Sequence, residues 1–278
     1  MAGPSDRVDE AAVRAAEAAD AASPSGREHV EPYEAAALAA HSPVAASPNS
    51  WRQFKAILRK DVSMELRTRE MITSMGLYAL LTMVVYAVAL NAAGEGFDIL
   101  PIAGGLLWAA FTFMSLLGLN RSLVHEQDQG CLEALLLSPV DRPIIFFAKA
   151  SGNFIFVSSV ELLALPFFYF FFLQGKGFGL NPLLIIPVLV VGTVGIAGVG
   201  TLLATISVNT RGKDFLLAVL FIPLMFPLLA SVVSATSAVI MGGDGSMTQL
   251  WQGLALAAGY DGIMLVAAFG LYEFVIGA

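Results

Sequence analysis

Long apolar runs separated by short polar segments fill the chain after residue 70. Six of these runs are close to 20 residues long, and a helix of about that length crosses a hydrocarbon core about 30 Å thick. We place the six spans near 72–91, 101–119, 149–173, 183–206, 215–240 and 256–277. The pattern therefore predicts an all-α membrane protein with six transmembrane helices.

A different pattern precedes the spans, over residues 51–70. Apolar side chains recur there at helical spacing, namely Trp51, Phe54, Leu58, Val62 and Leu66. Six basic residues accompany them: Arg52, Lys55, Arg59, Lys60, Arg67 and Arg69. This combination is typical of an amphipathic helix in the headgroup region, where basic side chains are drawn to anionic lipid. We therefore expect an amino-terminal interfacial helix that contacts the lipid bilayer.

The first fifty residues show a third pattern, rich in Ala, Ser, Pro and acids. Eight acidic residues there face three arginines, so much of the formal net charge of −7 lies in this part. A segment with so few large apolar residues cannot bury enough area to fold. It also lacks the basic start and apolar centre of a signal peptide. We interpret 1–50 as a disordered acidic cytoplasmic tail, with a tether or partner-binding arm as the alternative, and 51–278 as the transmembrane domain.

Composition agrees with a membrane protein. The 278 residues are 57% hydrophobic and only 13% charged, and a soluble globule of this length could not hide so much apolar surface. The single Cys131 excludes an internal disulfide and cannot by itself build a zinc or iron–sulfur site. We therefore expect neither a metal site nor a nucleic-acid partner.

Basic residues are divided unequally between the two sides of the predicted bundle. Segments on one side carry eleven of them, whereas the connections on the other side carry only Lys176. Loops rich in Lys and Arg stay in the cytoplasm. The bias therefore predicts that both termini are cytoplasmic, and it places residues 126–142 on the cytoplasmic side as well.

Residues 126–142, EQDQGCLEALLLSPVDR, interrupt the apolar pattern between the second and third spans. A polar turn at 128–130 precedes a short helix, in which Leu132, Leu135 and Leu136 share one face, and a Ser-Pro pair ends it. A short cytoplasmic helix with an apolar face suits a groove on another protein. It suits the bilayer surface or its own bundle equally well, and the pattern alone leaves these alternatives open.

Motifs for chemistry are sparse. No G-x-x-x-x-G-K-[ST] loop occurs, so the chain is not expected to hydrolyse ATP by the usual phosphate loop. Gly192, Gly195 and Gly198 lie inside an apolar span with no soluble strand before them, which favours close helix packing over dinucleotide binding. Because the sequence shows no nucleophile–base pair, we predict no catalytic residues.

Glu161 is the most informative polar residue of the spans. It lies twelve residues into the predicted third span, about 18 Å along a helix, hence near mid-depth. A carboxyl group there is costly and usually faces the bundle interior or a hydrated path. One interpretation is a functional polar site that locks a conformation. The other is a protonated carboxyl bonded to Ser158, Ser159 or a backbone carbonyl.

The stretch from Trp108 to Phe154 resembles the cytochrome c maturation B family, also called haem exporter protein B. The matching features are Trp108, Arg121, Glu126, Asp128-x-Gly130-x-Leu132-Glu133-x-Leu135, Ser138-Pro139 and Ala148-Lys149. Further matches are the glycine-rich fourth span, Arg211-Gly212, Ile222-Pro223-Leu224-x-x-Pro227-Leu228, Tyr260-Asp261 and Tyr272-Glu273-Phe274. The resemblance covers residues 51–278 and omits the tail.

Members of that family are ABC-2-type permeases with six membrane helices, which work with a separate cytoplasmic ATPase. The resemblance implies that 126–142 is a coupling segment that docks on the ATPase, whose closure then moves the bundle. Its candidate contacts are Glu126, Asp128, Gly130, Leu132, Glu133, Leu135 and Leu136. The resemblance also implies a permease homodimer in the bacterial cytoplasmic (inner) membrane, with a haem-handling membrane protein and a haem chaperone as partners.

Haem is the candidate cargo that the resemblance implies. His29 and His41 lie in the tail and His125 at the cytoplasmic rim, so no span offers the histidine expected of an axial ligand. We therefore expect no cofactor on this chain, with ATP on a partner and the energy spent on haem export or on release of a haem-loaded chaperone. The alternatives are an ABC-2 permease exporting another lipid, drug or glycan substrate, and a non-transporting scaffold.

Overall fold

The computed structural model describes residues 49–92, 94, 97–128, 140–173, 176–208 and 213–277. These ranges belong to the second of two compact units, Pro48–Ala278. The predicted acidic tail, 1–50, lies almost wholly outside them and stays a prediction.

Seven α-helices make up the described residues. They are α1 Ser50–Thr68, α2 Glu70–Ala92, α3 Leu100–Asp128, α4 Arg142–Phe172, α5 Ile185–Val208, α6 Lys213–Met241 and α7 Ser246–Gly277, with a short 3-10 helix, Pro182–Leu184, before α5. Helices α2 to α7 are each long and apolar enough to cross a membrane. The predicted all-α architecture with six spans is confirmed.

Two of these helices begin earlier than the sequence predicts. α4 begins at Arg142 rather than near 149, because Pro143 is well suited to the first turn of a helix. α7 begins at Ser246 rather than near 256, directly after a turn in which Gly243 and Gly245 adopt positive φ angles of 95° and 83°. The first turns of α7 are helical although several of their residues are polar. The earlier start places Asp261 near the middle of α7.

α1 packs along α4 through a face that includes polar residues. Its buried residues, Gln53, Ile57 and Asp61, are spaced four apart, as one face of a helix requires. Trp51 and Leu66 of the predicted apolar stripe are 59% and 60% exposed. The apolar stripe therefore lies beside the packed face, and its contact with lipid stays a prediction.

A tight corner joins α1 to α2. Arg69 adopts the left-handed conformation, with φ of 56°, and its backbone N–H donates to the carbonyl of Glu65. The side chain of Glu65 accepts a 2.9 Å hydrogen bond from the backbone N–H of Ile72. This bond satisfies one of the free amides in the first turn of α2. Glu65 thus serves the end of one helix and the start of the next.

α3 and α5 occupy the centre of the bundle. In their most apolar windows 67% and 61% of the residues are buried, against 22% in α2 and in α7. α5 contacts α3, α4, α6 and α7. The outer helices keep exposed apolar side chains, which lipid solvates as well as protein does. α5 is therefore in contact with four of the other five spans.

Candidate functional site

The candidate coupling segment lies between α3 and α4. α3 continues to Asp128, nine residues beyond the apolar span that ends at Leu119, so about 14 Å of helix carries Glu126 and Asp128 out of the span. Gly130, Leu132, Glu133, Leu135 and Leu136 lie outside the described residues, and their shared face stays a prediction. The chain returns as α4 at Arg142, so a displacement of the segment would act on both helix ends.

An ion pair ties the first turns of α4 to α1. Lys149 Nζ lies 3.0 Å from Asp61 Oδ2, and the two side chains are 9% and 10% exposed. Lys60 approaches the other carboxylate oxygen of Asp61, also at 3.0 Å. Burial makes such a pair costly to break, because removal of one partner leaves an uncompensated charge. The pair therefore holds α1 against the first turns of α4.

Two further polar contacts join α4 to α5. Asn153 Nδ2 donates to Thr201 Oγ1 over 2.9 Å, and Thr193 Oγ1 lies 2.5 Å from Glu161 Oε2. All four side chains are buried. Glu161 follows Asn153 by eight residues on α4, and Thr193 precedes Thr201 by eight residues on α5. This is the register of an antiparallel pair, and it separates the contacts by about 12 Å.

Glu161 is 2% exposed, and its second carboxylate oxygen has no hydrogen-bond partner among the described residues. Its partner is Thr193 of the neighbouring helix, not the adjacent serines. Ser159, two residues earlier, points to another face of α4 and donates to the carbonyl of Ile155 at 2.6 Å. A partner on a different helix is outside the reach of spacing arguments, which is why the sequence did not indicate it.

Trp108 joins α3 to α5 and α6. Its indole ring lies directly against Gly192, where an added Cβ would overlap the ring. The indole Nε1 donates to Thr236 Oγ1 over 2.8 Å, and the whole side chain is 1% exposed. A buried indole N–H needs such an acceptor. Gly192 therefore gives the ring space, and Thr236 satisfies its polar atom.

Gly195 and Gly198 bring α7 close to α5. An added Cβ at Gly195 would overlap the carboxyl group of Asp261, and one at Gly198 would lie 3.0 Å from Leu265. Small residues at these positions allow the close backbone approach on which helix association in lipid depends. The three candidate packing glycines of α5 thus face α3 at one position and α7 at the other two.

Asp261 is the second buried carboxyl group beside α5. It is 5% exposed, and its Oδ1 has no hydrogen-bond partner among the described residues. The described ion pairs involve Asp61 and Asp98 as acids and include neither Asp261 nor Glu161. The predicted last span, 256–277, puts Asp261 near its first end. α7 begins ten residues before that span, at Ser246, so Asp261 lies near the middle of the helix instead.

A hydroxyl group of α7 serves the proline-interrupted part of α6. Tyr260 donates to the backbone oxygen of Leu224 over 2.5 Å. That carbonyl lies between Pro223 and Pro227, one residue after the carbonyl of Pro223 that Pro227 leaves without an intrahelical donor. α7 therefore adds a hydrogen bond beside the proline interruption of α6.

Sequence reasoning missed Asn153, Thr193, Thr201 and Thr236. Isolated threonines in apolar spans usually bond a carbonyl of their own helix, as Thr201 does with Ala197 at 2.6 Å. One feature of the sequence could have indicated them: Asn153 and Glu161 are eight residues apart, and so are Thr193 and Thr201. This equal spacing is informative only when it is known that α4 and α5 face each other.

The described residues form an apolar groove that could hold a ligand. No group of three or more His, Cys, Asp or Glu side chains there could hold a metal ion. A groove of about 450 Å³ lies between α2 and α4, lined by Gly76, Met83, Val160 and Phe167, with Thr73 as a polar residue on its wall. Its lining suits an apolar group and contains no His, Cys or Tyr.

Comparison with known proteins identifies the family. The family described as CcmB protein matches residues 52–273, which include every helix from α1 to α7. The chain belongs to the CcmB family. Because its six spans and its relatives are those of a bacterial membrane protein, this CcmB-family chain is a multi-pass bacterial membrane protein. The match includes the candidate coupling segment, Glu161 and the glycines of α5, and it excludes the first fifty residues.

The relatives of this CcmB-family chain are identical to it at about a quarter of the aligned residues. Heme exporter protein B of Rhodobacter capsulatus is 26% identical over 207 residues, which cover 74% of this chain and 90% of that protein. The protein of the same name from Bradyrhizobium diazoefficiens is 27% identical over 193 residues, 68% of this chain and 83% of that one. The Pseudomonas aeruginosa protein is 27% identical over 150 residues, 54% and 66% of the two chains.

Proposed function

We propose that this chain is the membrane subunit of an ABC-type complex for c-type cytochrome biogenesis. It couples ATP hydrolysis by a separate subunit to haem export or to the release of a haem-loaded chaperone. One observation carries the proposal: the CcmB family match extends over residues 52–273, and the relatives found are named heme exporter protein B. The chain itself acts as a transporter subunit and not as an enzyme.

The site of ATPase docking is the coupling segment. Leu132, Leu135 and Leu136 enter a groove on the ATPase, and Glu126 and Glu133 flank them with negative charge. Closure of the ATPase displaces the segment and with it the adjoining ends of α3 and α4. The ion pair of α4 with α1 and its two polar contacts with α5 support this route, because they link α4 to both neighbours.

Haem iron is held by another subunit. The chain has no His or Cys inside its six spans, and the α2–α4 groove offers only apolar contacts and one threonine. A porphyrin could lie against such a surface through its ring, but a His, Cys or Tyr ligand for its iron has to come from elsewhere. The partners we propose are a haem-handling membrane protein and a haem chaperone, next to the ATPase.

The assembly contains two permease copies facing two ATPases, in the bacterial inner membrane. Both termini lie in the cytoplasm. The excess of Lys and Arg in segments on the side of residues 126–142 supports this orientation.

Deletion of the gene, followed by a stain for covalently bound haem, tests the proposal. We expect c-type cytochromes to disappear and to return with the intact chain. Unchanged cytochromes in the deletion strain would contradict the haem function and favour export of another lipid, drug or glycan.

A double variant, Leu132→Asp with Leu135→Asp, tests the docking step. The expected result is that the ATPase no longer co-purifies with the permease and that covalent haem is lost, while the protein still reaches the membrane. Leu137→Asp is the control, since it adds an acidic side chain off the predicted face. If the ATPase binds and hydrolyses ATP at the unmodified rate in the double variant, the segment is not the coupling element.

A further inference from the structure

The threonines of α5 that face α4 share one hydrogen-bond pattern. Thr201 Oγ1 lies 2.6 Å from the backbone oxygen of Ala197 and accepts a 2.9 Å bond from the amide of Asn153. A hydroxyl group has one proton and two lone pairs. Thr201 therefore donates within its own helix and accepts across the interface.

Thr193 repeats this arrangement eight residues earlier, but its partner is a carboxyl group. Its Oγ1 lies 2.7 Å from the backbone oxygen of Leu189 and 2.5 Å from Glu161 Oε2. If Glu161 were ionised, both of these oxygens would be acceptors, and the single hydroxyl proton could serve only one of them well. A protonated Glu161 removes the conflict, because it donates to Thr193 as Asn153 donates to Thr201.

No cation among the described residues lies close to Glu161. α5 has no titratable side chain, and neither do residues 100–119 of α3. On α4 the cations Arg142 and Lys149 are at least twelve residues away, and Lys149 is paired with Asp61 of α1. The charged residues of α1 pack beside that same end of α4. The remaining titratable groups on α4 and the helices packed on it are Tyr169 of α4, Glu70, Tyr78 and Tyr86 of α2, Arg121, His125, Glu126 and Asp128 of α3, and Tyr260, Asp261, Tyr272 and Glu273 of α7.

The unpartnered oxygen of Glu161 agrees with a neutral group. Oε1 is buried and has no hydrogen-bond partner among the described residues. An unsatisfied carbonyl oxygen of an acid costs far less in an apolar interior than an unsatisfied carboxylate oxygen. Contact geometry and burial therefore favour the same protonation state.

We propose that Glu161 is a neutral, proton-carrying hydrogen-bond donor inside the membrane span. Together with Asn153 it forms two rungs, about 12 Å apart, that hold α4 and α5 in antiparallel register. The two helices therefore move as a pair. Loss of the proton removes the deeper rung and leaves the one at Asn153. This inference concerns the bundle itself and does not depend on which cargo the protein serves.

Infrared spectroscopy of the purified full chain in lipid at neutral pH tests the protonation state. A protonated acid has a carbonyl stretch that a carboxylate lacks. We expect the wild-type spectrum minus that of Glu161→Gln to show this band, and Thr193→Val to shift it to higher frequency, because the acid loses its acceptor. Asp98→Asn, in an exposed loop, is the matched control and leaves the band unchanged. A carboxylate band in the difference spectrum would overturn the proposal.

Thermal unfolding in detergent tests the rung independently. Gln at position 161 can still donate to Thr193, so Glu161→Gln should unfold within a degree or so of wild type. Glu161→Leu and Thr193→Val should each lower the midpoint, and the two together should lower it no further than the worse of them. Additive losses, or a Gln variant as unstable as the Leu variant, would contradict the proposal. If Glu161→Leu fails to fold, Thr193→Val against Thr193→Ser makes the same comparison.

Discussion

Glu161 of α4 and Asp261 of α7 approach the same helix, α5, from different faces and at nearly the same depth. Glu161 contacts Thr193, and Asp261 packs on Gly195. These two positions differ by two residues, about 3 Å along the helix and roughly 200° around it. Thr193 and Gly195 both lie at the centre of the span Pro182–Ser207. α5 is therefore held at mid-depth between two buried carboxyl groups, neither of which belongs to a described ion pair.

Gly192→Ala should destabilise the bundle. A methyl group there would overlap the buried indole of Trp108, and overpacking of this kind costs about 1–3 kcal/mol. The free energy of unfolding in mixed micelles measures the effect. Gly105→Ala on α3 is the control, because nothing lies within 4 Å of an added Cβ there. Equal stability of the two variants would show that α3 and α5 are not in close contact.

Lys149→Met should loosen α1 from α4. The substitution leaves Asp61 with only the more exposed Lys60, so the loss should stay below about 3–5 kcal/mol, the cost of leaving a buried charge without any partner. Limited proteolysis between α1 and α2, together with the unfolding free energy, reports the loss. The double variant Lys149→Met with Asp61→Leu should recover most of it, since no charge remains buried. Lys176→Met, which breaks an exposed pair, should have no measurable effect.

Trp108→Phe should cost about 1–3 kcal/mol of stability, because it removes the donor to Thr236 and part of the packing on Gly192. Thr236→Val leaves the buried indole N–H without its acceptor and should cost a similar amount. A double-mutant cycle measures the coupling, and we expect the double variant to lose less than the two single losses combined. Full additivity would mean that the two side chains do not interact.

The loop between α2 and α3 carries a titratable group, Asp98, whose pKa the structure perturbs. Hydrogen bonds from Lys176 and from the backbone of Leu100 hold the pKa of Asp98 below its usual range. Lys176→Met should therefore raise the pKa of Asp98, which an NMR titration of its carboxyl carbon in isotope-labelled protein measures. Since the pKa of Asp98 is lower in the folded state, any stability that its carboxylate contributes is present above the unfolded-state pKa and is lost as the pH falls through the folded-state pKa. At neutral and alkaline pH Asp98 is ionised in both states, so changing the pH there should leave its contribution to stability unchanged.

The apolar runs predicted the six spans because a helix that crosses lipid needs consecutive apolar residues. A helix must bring about twenty apolar residues in a row to span the hydrocarbon core. The starts of α4 and α7 were missed for the same reason. Their first turns, at Arg142 and Ser246, are helical without being apolar, so a search for apolar runs begins too late. Asp261 was consequently placed at an end of its span although it is buried near the middle.

Contacts across helices could not be predicted in the same way. Glu161 stood out in the sequence because a carboxyl group in a span is rare, but nothing near it along the chain indicated Thr193, which lies 32 residues later. The same holds for Asn153 with Thr201 and for Trp108 with Thr236. Each pair depends on how two helices are rotated and shifted against each other.

The sequence by itself determined the class of the protein, its six spans, its family and the unusual position of Glu161. These are properties of local composition and of motifs in order along the chain. Only the tertiary structure decided that α5 is central, that Thr193 is the partner of Glu161, and that Asp261 is buried. The reason is physical: the depth and rotation of each helix are set by side chains from distant segments that must pack together. α5 approaches α3 and α7 closely at positions where glycines such as Gly192 and Gly195 leave space.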